Sequence, residues 1–239
     1  MLERAAKSIV DRTLIPLIAY VRRRLPPPPR PATDQPQIVA ESIRRAISDS
    51  VDYADTAMAS ALCFDDLQAL RHYAFSLRSK PGLIVEFGVW RATSINFLAG
   101  LTDETIYGFD SFEGLQEDWA GWAHPKGFFN RSGRLPEVAA NVRLIKGWFD
   151  ETLAGFLSEH PESFSFVHID CDTYPATSTI LTAAEDRFVP GTVVLFDEYF
   201  GYRGWRQGEF KAWREFVSRR GLRYDYKAFG DNAVVLTIR

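Results

Sequence analysis

Two acidic pairs, Asp170-Cys171-Asp172 and Asp197-Glu198, are the groups in this sequence best suited to chemistry. Each follows a short apolar run that reads as a buried strand, residues 164–169 and 192–196. In a parallel α/β sheet, the ends of neighbouring strands open into one crevice where ligands bind. Four carboxylates are therefore expected at one sheet mouth. Charge of one sign at such density is costly unless a cation neutralises it. Oxygen-only ligands select a hard divalent ion such as Mg²⁺.

Upstream segments supply a second kind of site. The run Val85-Glu86-Phe87-Gly88-Val89-Trp90-Arg91-Ala92-Thr93-Ser94 reads as a strand, a glycine turn and a helix start. Gly88 permits the tight turn, and the helix start offers free backbone N–H groups. A dinucleotide site would show G-x-G-x-x-G here, whereas this loop has one glycine, which suits a cofactor with a carboxylate and no phosphate, such as S-adenosylmethionine. A purely structural turn fits equally well. Asp110 lies 22 residues after Gly88, in Gly108-Phe109-Asp110-Ser111-Phe112-Glu113-Gly114. An acid about 20 residues on, at the tip of the next strand, suits the two hydroxyls of a ribose; it would also serve as a turn cap. In Lys146-Gly147-Trp148-Phe149-Asp150 an aromatic ring could cover an adenine or belong to the core. None of the four histidines has metal-ligand spacing to another; His168 reads as a satisfied core residue, and His124 lies in a loop from which it could reach substrate.

The elements that position these groups alternate. Strands are expected at 83–87, 105–109, 142–145, 164–169, 192–196, 222–228 and 232–238. Helices are expected at 64–79, 91–101, 150–159, 175–187 and 207–220. Such alternation means βαβ units and a doubly wound, largely parallel seven-stranded sheet, Rossmann-like in architecture. Gly230-Asp231-Asn232 closes the last two strands into an antiparallel hairpin. Residues 36–62 read as mixed helical and polar, with Ser50 to Met58 a candidate mobile cover. The segment from Gln116 to Leu135 is long for a compact domain and reads as a lid or acceptor wall, where Trp119, Trp122, Phe128 and Phe129 could stack on a sugar or pack the lid down.

The chain divides into an N-terminal helical arm and proline-rich spacer (1–35), a helical cap region (36–80) and a catalytic core (81–239). Its 239 residues carry a net charge of −3, which argues against a nucleic-acid binder held by phosphate contacts. Residues 1–30 nonetheless carry +5, leaving −8 on the rest. The arm reads as an amphipathic helix bent at Pro16, followed by a stiff proline run, and is expected either to pack on a subunit or to touch a membrane surface through residues 1–25. Its apolar stretch, Leu14 to Val21, is too short to cross a bilayer, and no secretory signal is expected. Cys63 and Cys171 have no C-x-x-C spacing, so neither a disulfide framework nor a zinc site is expected, and a cytoplasmic setting fits.

Together, the Glu86–Ser94, Gly108–Gly114, Lys146–Phe149, His168–Tyr174 and Phe196–Phe200 segments resemble the macrocin/mycinamicin sugar O-methyltransferase family over residues 64–239. The resemblance implies a class I methyltransferase fold and S-adenosylmethionine- and Mg²⁺-dependent methylation of a sugar hydroxyl in a natural product or glycan, by an enzyme expected to be a homo-oligomer. It implies Asp170, Asp197 and Glu198 as metal ligands and Asp172 as general base. Glu86, Gly88, Val89, Thr93, Ser94, Asp110, Ser111, Gly147 and Trp148 are its implied cofactor contacts. Glu198 stands where the family often has Asp, which lengthens one ligand. Rival readings are a D-x-D glycosyltransferase using Asp170 and Asp172, a hydroxylase-like protein of the same fold, a non-catalytic scaffold in glycan assembly, and a plain α/β domain whose acids cap helices.

Overall fold

Apolar runs and amphipathic stretches resolve into eight strands and six helices among residues 37–239, which are those the structure, a computed structural model, describes. The arm and spacer expected over 1–35, and the membrane contact expected of 1–25, lie outside the described residues. In chain order the elements are α1 (Ile38–Ala57), β1 (Leu62–Cys63), α2 (Leu67–Ser76), β2 (Leu83–Phe87), α3 (Thr93–Ala99), β3 (Ile106–Asp110), β4 (Val142–Lys146), α4 (Phe149–Glu159), β5 (Phe164–Ile169), α5 (Tyr174–Ala183), β6 (Val193–Phe196), α6 (Glu209–Arg220), β7 (Tyr224–Phe229) and β8 (Val234–Ile238).

The sheet order is β1-β7-β8-β6-β5-β2-β3-β4. Every neighbouring pair is parallel except those made by β8, which runs antiparallel to β6 and β7. The doubly wound fold expected from the sequence is thus present, with one strand more than expected. The extra strand, β1, is two exposed residues pairing Leu62 with Ala228 and Cys63 with Phe229. Two residues are too few to show a period-two pattern.

β2 and β5, both parallel, lie side by side at the centre, and the chain winds outward from them in opposite directions. Their ends define the switch point at which doubly wound sheets bind ligands. Strand residues alternate between two apolar layers. Val85, Phe87 and Ile169 face the side covered by α4, α5 and α6, through Phe156, Ile180 and Trp213. Ile84, Phe166 and Leu195 face the side covered by α2 and α3, through Leu70 and Ile95. The central strands are buried on both faces, which is why they read as unbroken apolar runs.

Two segments differ from expectation for local reasons. The expected helix at 91–101 begins only at Thr93, because Trp90 (φ 44°) and Ala92 (φ 63°) sit in the left-handed region. The mixed region before α2 contains the 20-residue helix α1, and its Ser50–Met58 end is not a mobile cover. Ser50 Oγ accepts a bond from Gly201 N at 2.9 Å, Tyr53 and Tyr226 hydroxyls meet at 2.7 Å, and Ala54 and Met58 are buried in the core. The hairpin turn is tied to the second acidic loop, since Asn232 O accepts from Tyr199 N (2.8 Å) and Phe200 N (3.3 Å).

Phe166, fully buried on β5 against Phe75, tests the α2 side of this packing. Phe166→Ala is expected to cost about 3–5 kcal/mol, the usual loss for a buried phenylalanine, read as a lower midpoint in urea unfolding.

Candidate active site

The loops after β2, β3, β5 and β6 meet at the switch point because each strand end hands its backbone to the next. Asp170 N donates to Phe87 O (2.9 Å), Asp197 N to Ile169 O (2.9 Å), and Gly88 N to Phe109 O (2.9 Å). Gly88 has φ 92°, and a Cβ there would stand 1.7 Å from the Asp170 carbonyl oxygen. Only glycine lets the turn lie against the first acidic loop. Asp110 staples the turn from the other side: Oδ2 accepts from Val89 N and Trp90 N, both at 2.8 Å, and Oδ1 from Phe112 N at 2.6 Å. It therefore fixes loops on both sides, whatever else its remaining lone pair accepts.

Beneath the crevice, on the α2/α3 face, runs a buried chain of polar contacts. Ser94 Oγ donates to Glu86 Oε1 (2.9 Å). Glu86 Oε2 lies 2.8 Å from His168 Nδ1, its register partner across β2 and β5. His168 Nε2 lies 3.3 Å from Asp197 Oδ1, and Arg71 Nη2 donates to that same oxygen at 2.9 Å. Burial opposes protonation of His168, but the hydrogen bonds and charges of Asp197 and Glu86 outweigh it and raise its pKa to about 10. As an imidazolium it donates from both nitrogens. Burial pushes the Asp197 carboxyl up, yet His168 and Arg71 together hold it below the usual carboxylate range.

Two residues expected at the site take part in this chain of contacts. Glu86, expected as a cofactor contact, is fully buried below the pocket wall and instead anchors Ser94 and His168. Asp197, expected among the metal ligands, lines the pocket; its Oδ1 faces Arg71 and His168, and it offers a ligand atom within 4.8 Å of Asp170. His168 is a satisfied buried residue as expected, although its partners are carboxylates.

The other three acids are in a different state. Oxygens of Asp170, Asp172 and Glu198 all lie within 4.8 Å of one another. Among the described residues no side chain donates a hydrogen bond to any of the three, and Glu198 Oε2 is buried without a partner. Burial, then mutual charge with Asp197 and the other acids, pushes Asp170 and Glu198 well above ordinary carboxyl values. Burial and the charges of Asp197 and Asp110 raise Asp172 to about 7. Asp172 also holds φ 68°, a left-handed conformation uncommon outside glycine and kept only where the surroundings enforce it. Asp172 is buried and Asp170 and Glu198 are half-buried, and oxygen ligands without side-chain donors are of the type that a hard divalent cation takes.

Around these groups lies a pocket of about 420 Å³. Gly88, Val89, Thr93, Ser94, Asp110, Ser111, Gly147 and Trp148 line it, as do Asp170, Asp172 and Glu198. Phe149 does two jobs, lining the pocket and packing on Phe87. From the long Gln116–Leu135 segment, Gln116 and Phe129 reach the wall. His124 does not: its ring is stacked on Phe128 at 3.9 Å and against Trp122 at 5.6 Å. Trp119 is buried in the same aromatic cluster, so these rings pack the lid.

Two further residues belong to the site, Arg71 and Glu209. Arg71 sits on the buried face of α2, with Leu70, Ala74 and Phe75, so a cation on an apolar stripe was the available signal. Glu209 opens α6 and reads in sequence only as an acid favouring a helix start.

Residues 85–199 match the family model described as a methyltransferase domain. The match takes in just under half of the chain, which over these residues is similar to that family. The resemblance to sugar O-methyltransferases is borne out by curated relatives of this domain. The chain is 29% identical over 147 residues to mycinamicin III 3''-O-methyltransferase of Micromonospora griseorubida, covering 50% of this chain and 56% of that protein. It is 32% identical over 146 residues to 8-demethyl-8-(2,3-dimethoxy-alpha-L-rhamnosyl)-tetracenomycin-C 4'-O-methyltransferase of Streptomyces olivaceus, covering 50% of this chain and 53% of that protein. The chain thus spans about half the length of the curated relatives it matches. A calicheamicin methyltransferase shares the fold, with a TM-score of 0.59 at 18% identity over 86% of this chain and 94% of the other. Among the described residues, no helix is long and apolar enough to cross a membrane.

Removing His168 would leave Glu86 with Ser94 as its remaining donor and Asp197 with Arg71. His168→Ala is expected to lose about 3–5 kcal/mol, as for other broken buried ion pairs, measured by urea unfolding.

Proposed function

We propose that this chain transfers the methyl group of S-adenosylmethionine to a hydroxyl of a sugar-bearing natural product or glycan, with a divalent cation, Mg²⁺ by the chemistry of its ligands, at the acidic cluster. The observation that carries this reading is the donor-free trio Asp170, Asp172 and Glu198 on the wall of a pocket that also contains the Gly88 turn, within a methyltransferase domain. One relative is named for a rhamnosyl-bearing tetracenomycin, which supports a sugar as the accepting part.

The pocket volume of about 420 Å³ falls in the range of small-molecule sites, about 300–1,000 Å³. Gly88, Val89, Thr93 and Ser94 would hold the amino-acid end of the cofactor, Asp110 and Ser111 its ribose, and Gly147 and Trp148 its adenine. Bound S-adenosylmethionine supplies an electrophilic methyl on a sulfonium. A carboxylate with a reference pKa of about 4 is a poor base for a neutral alcohol. A divalent cation supplies Lewis acidity; for bound water the pKa falls from about 15.7 to about 7.

Asp170 and Glu198 are the assigned cation holders, since their oxygens converge and take no side-chain hydrogen bond. Asp197 supports them from behind, its Oδ1 turned to Arg71 and His168. Asp172 is the assigned base: its carboxylate belongs to the same oxygen group and lines the pocket, so a hydroxyl proton has an acceptor beside the cation holders. The rigid strand ends hold these groups in fixed relation, which lowers the entropic part of the barrier.

Incubation with S-adenosylmethionine and a panel of glycosylated acceptors, followed by mass spectrometry, should show one added methyl on a sugar; no methylated product across aliphatic and sugar hydroxyls would end the proposal. A chelator should abolish turnover and Mg²⁺ restore it. Asp172→Asn should retain S-adenosylhomocysteine binding in calorimetry while kcat drops by about 100-fold or more, the usual contribution of a general base.

A further inference from the structure

Glu209 is the one buried acid at the crevice that neither lines the pocket nor faces a cation. Its side chain is fully inaccessible at the first turn of α6, yet both oxygens are engaged. Oε1 accepts from Cys171 N (3.4 Å) and Asp172 N (3.2 Å), and Oε2 accepts from Glu198 N (3.3 Å). One carboxylate therefore ties the backbone of the first acidic loop to that of the second. Gly208 seats it: a Cβ there would stand 2.4 Å from Tyr202 Oη. Two of the three amides that Glu209 holds belong to residues whose side chains form the oxygen group, Asp172 and Glu198. Asp172 is also the residue held at φ 68°.

We propose that Glu209 is a positioning residue that sets the spacing of the cation-binding oxygens by clamping both acidic loops to α6. The inference rests on the cation reading above. Placing a third element across the loops removes their freedom to drift apart, which a cluster of like charges would otherwise favour. Its chemistry follows from the donor count. A carboxylate can accept at both ends, whereas the amide of Gln accepts at one end only and the methyl of Ala at neither. The clamp should therefore weaken in two steps, Glu209→Gln and then Glu209→Ala.

The test uses the full chain and both variants. Mg²⁺ and Mn²⁺ affinities and S-adenosylhomocysteine affinity are measured by calorimetry, with thermal midpoints and amide hydrogen exchange alongside. Glu209→Gln should weaken cation binding by tenfold or more, leave S-adenosylhomocysteine binding within twofold of wild type, and speed exchange at the amide it releases. Glu209→Ala should speed exchange at Cys171, Asp172 and Glu198 together. Unchanged cation affinity in Glu209→Gln overturns the proposal, as does an equal loss of cation and S-adenosylhomocysteine affinity tracking a lowered midpoint. A wild-type chain that binds neither cation sinks the cation reading. In that event the clamp is judged on exchange alone, and unaltered protection at all three amides in Glu209→Ala overturns it.

Discussion

Buried negative charge at the switch point is the constraint on which the rest of the site depends. Glu86, Asp170, Asp172, Asp197, Glu198 and Glu209 crowd the ends of β2, β5 and β6. Among the described residues, only Arg71 and His168 stand against them as cations in direct contact. The protein handles these acids in three ways. Glu86 and Asp197 are paired with His168 and Arg71, and Glu209 is solvated by three backbone amides. Asp170, Asp172 and Glu198 are left without donors, where a carboxylate is most costly unless something from outside the chain binds it.

That distribution explains the backbone around the crevice. Trp90, Phe129 and Asp172 all line the pocket and all have positive φ, as does Gly88. Left-handed conformations in bulky or acidic residues are held only by surrounding packing and hydrogen bonds. Here Asp110 holds Trp90 N, and Glu209 holds Asp172 N. The turns at Trp90 and Asp172 thus each have a carboxylate restraining them from a neighbouring element. The same device serves the Gly88 turn and the acidic loop alike.

The long segment between β3 and β4 is built on a different principle. Its cohesion is aromatic: Trp119, Trp122, His124 and Phe128 pack on one another, and Trp119 and Trp122 reach Tyr202. Gly121 lies so close to Arg203 that a Cβ would meet its carbonyl oxygen at 1.4 Å. The segment is thereby joined to the loop that follows the second acidic pair, and its inner edge, Ser111, Gly114, Leu115, Gln116 and Phe129, faces the pocket.

What the sequence determined by itself was the order of elements and the placing of acids at strand ends, because apolar runs, glycine turns and acid positions are local signals. The buried central strands, the Gly88 turn and the convergence of the two acidic pairs were legible in that way. Division of labour among the acids was not. From their motifs Glu86 looks like a cofactor contact and Asp197 like a metal ligand, but His168 stands opposite Glu86 only through the β2–β5 register, and Arg71 reaches Asp197 across 126 positions. Glu209 clamps loops 37 and 11 residues away. Spacing along a chain records which groups are present, while the free energy of a buried carboxylate depends on which donors stand within hydrogen-bond distance of it. Only tertiary structure decides that.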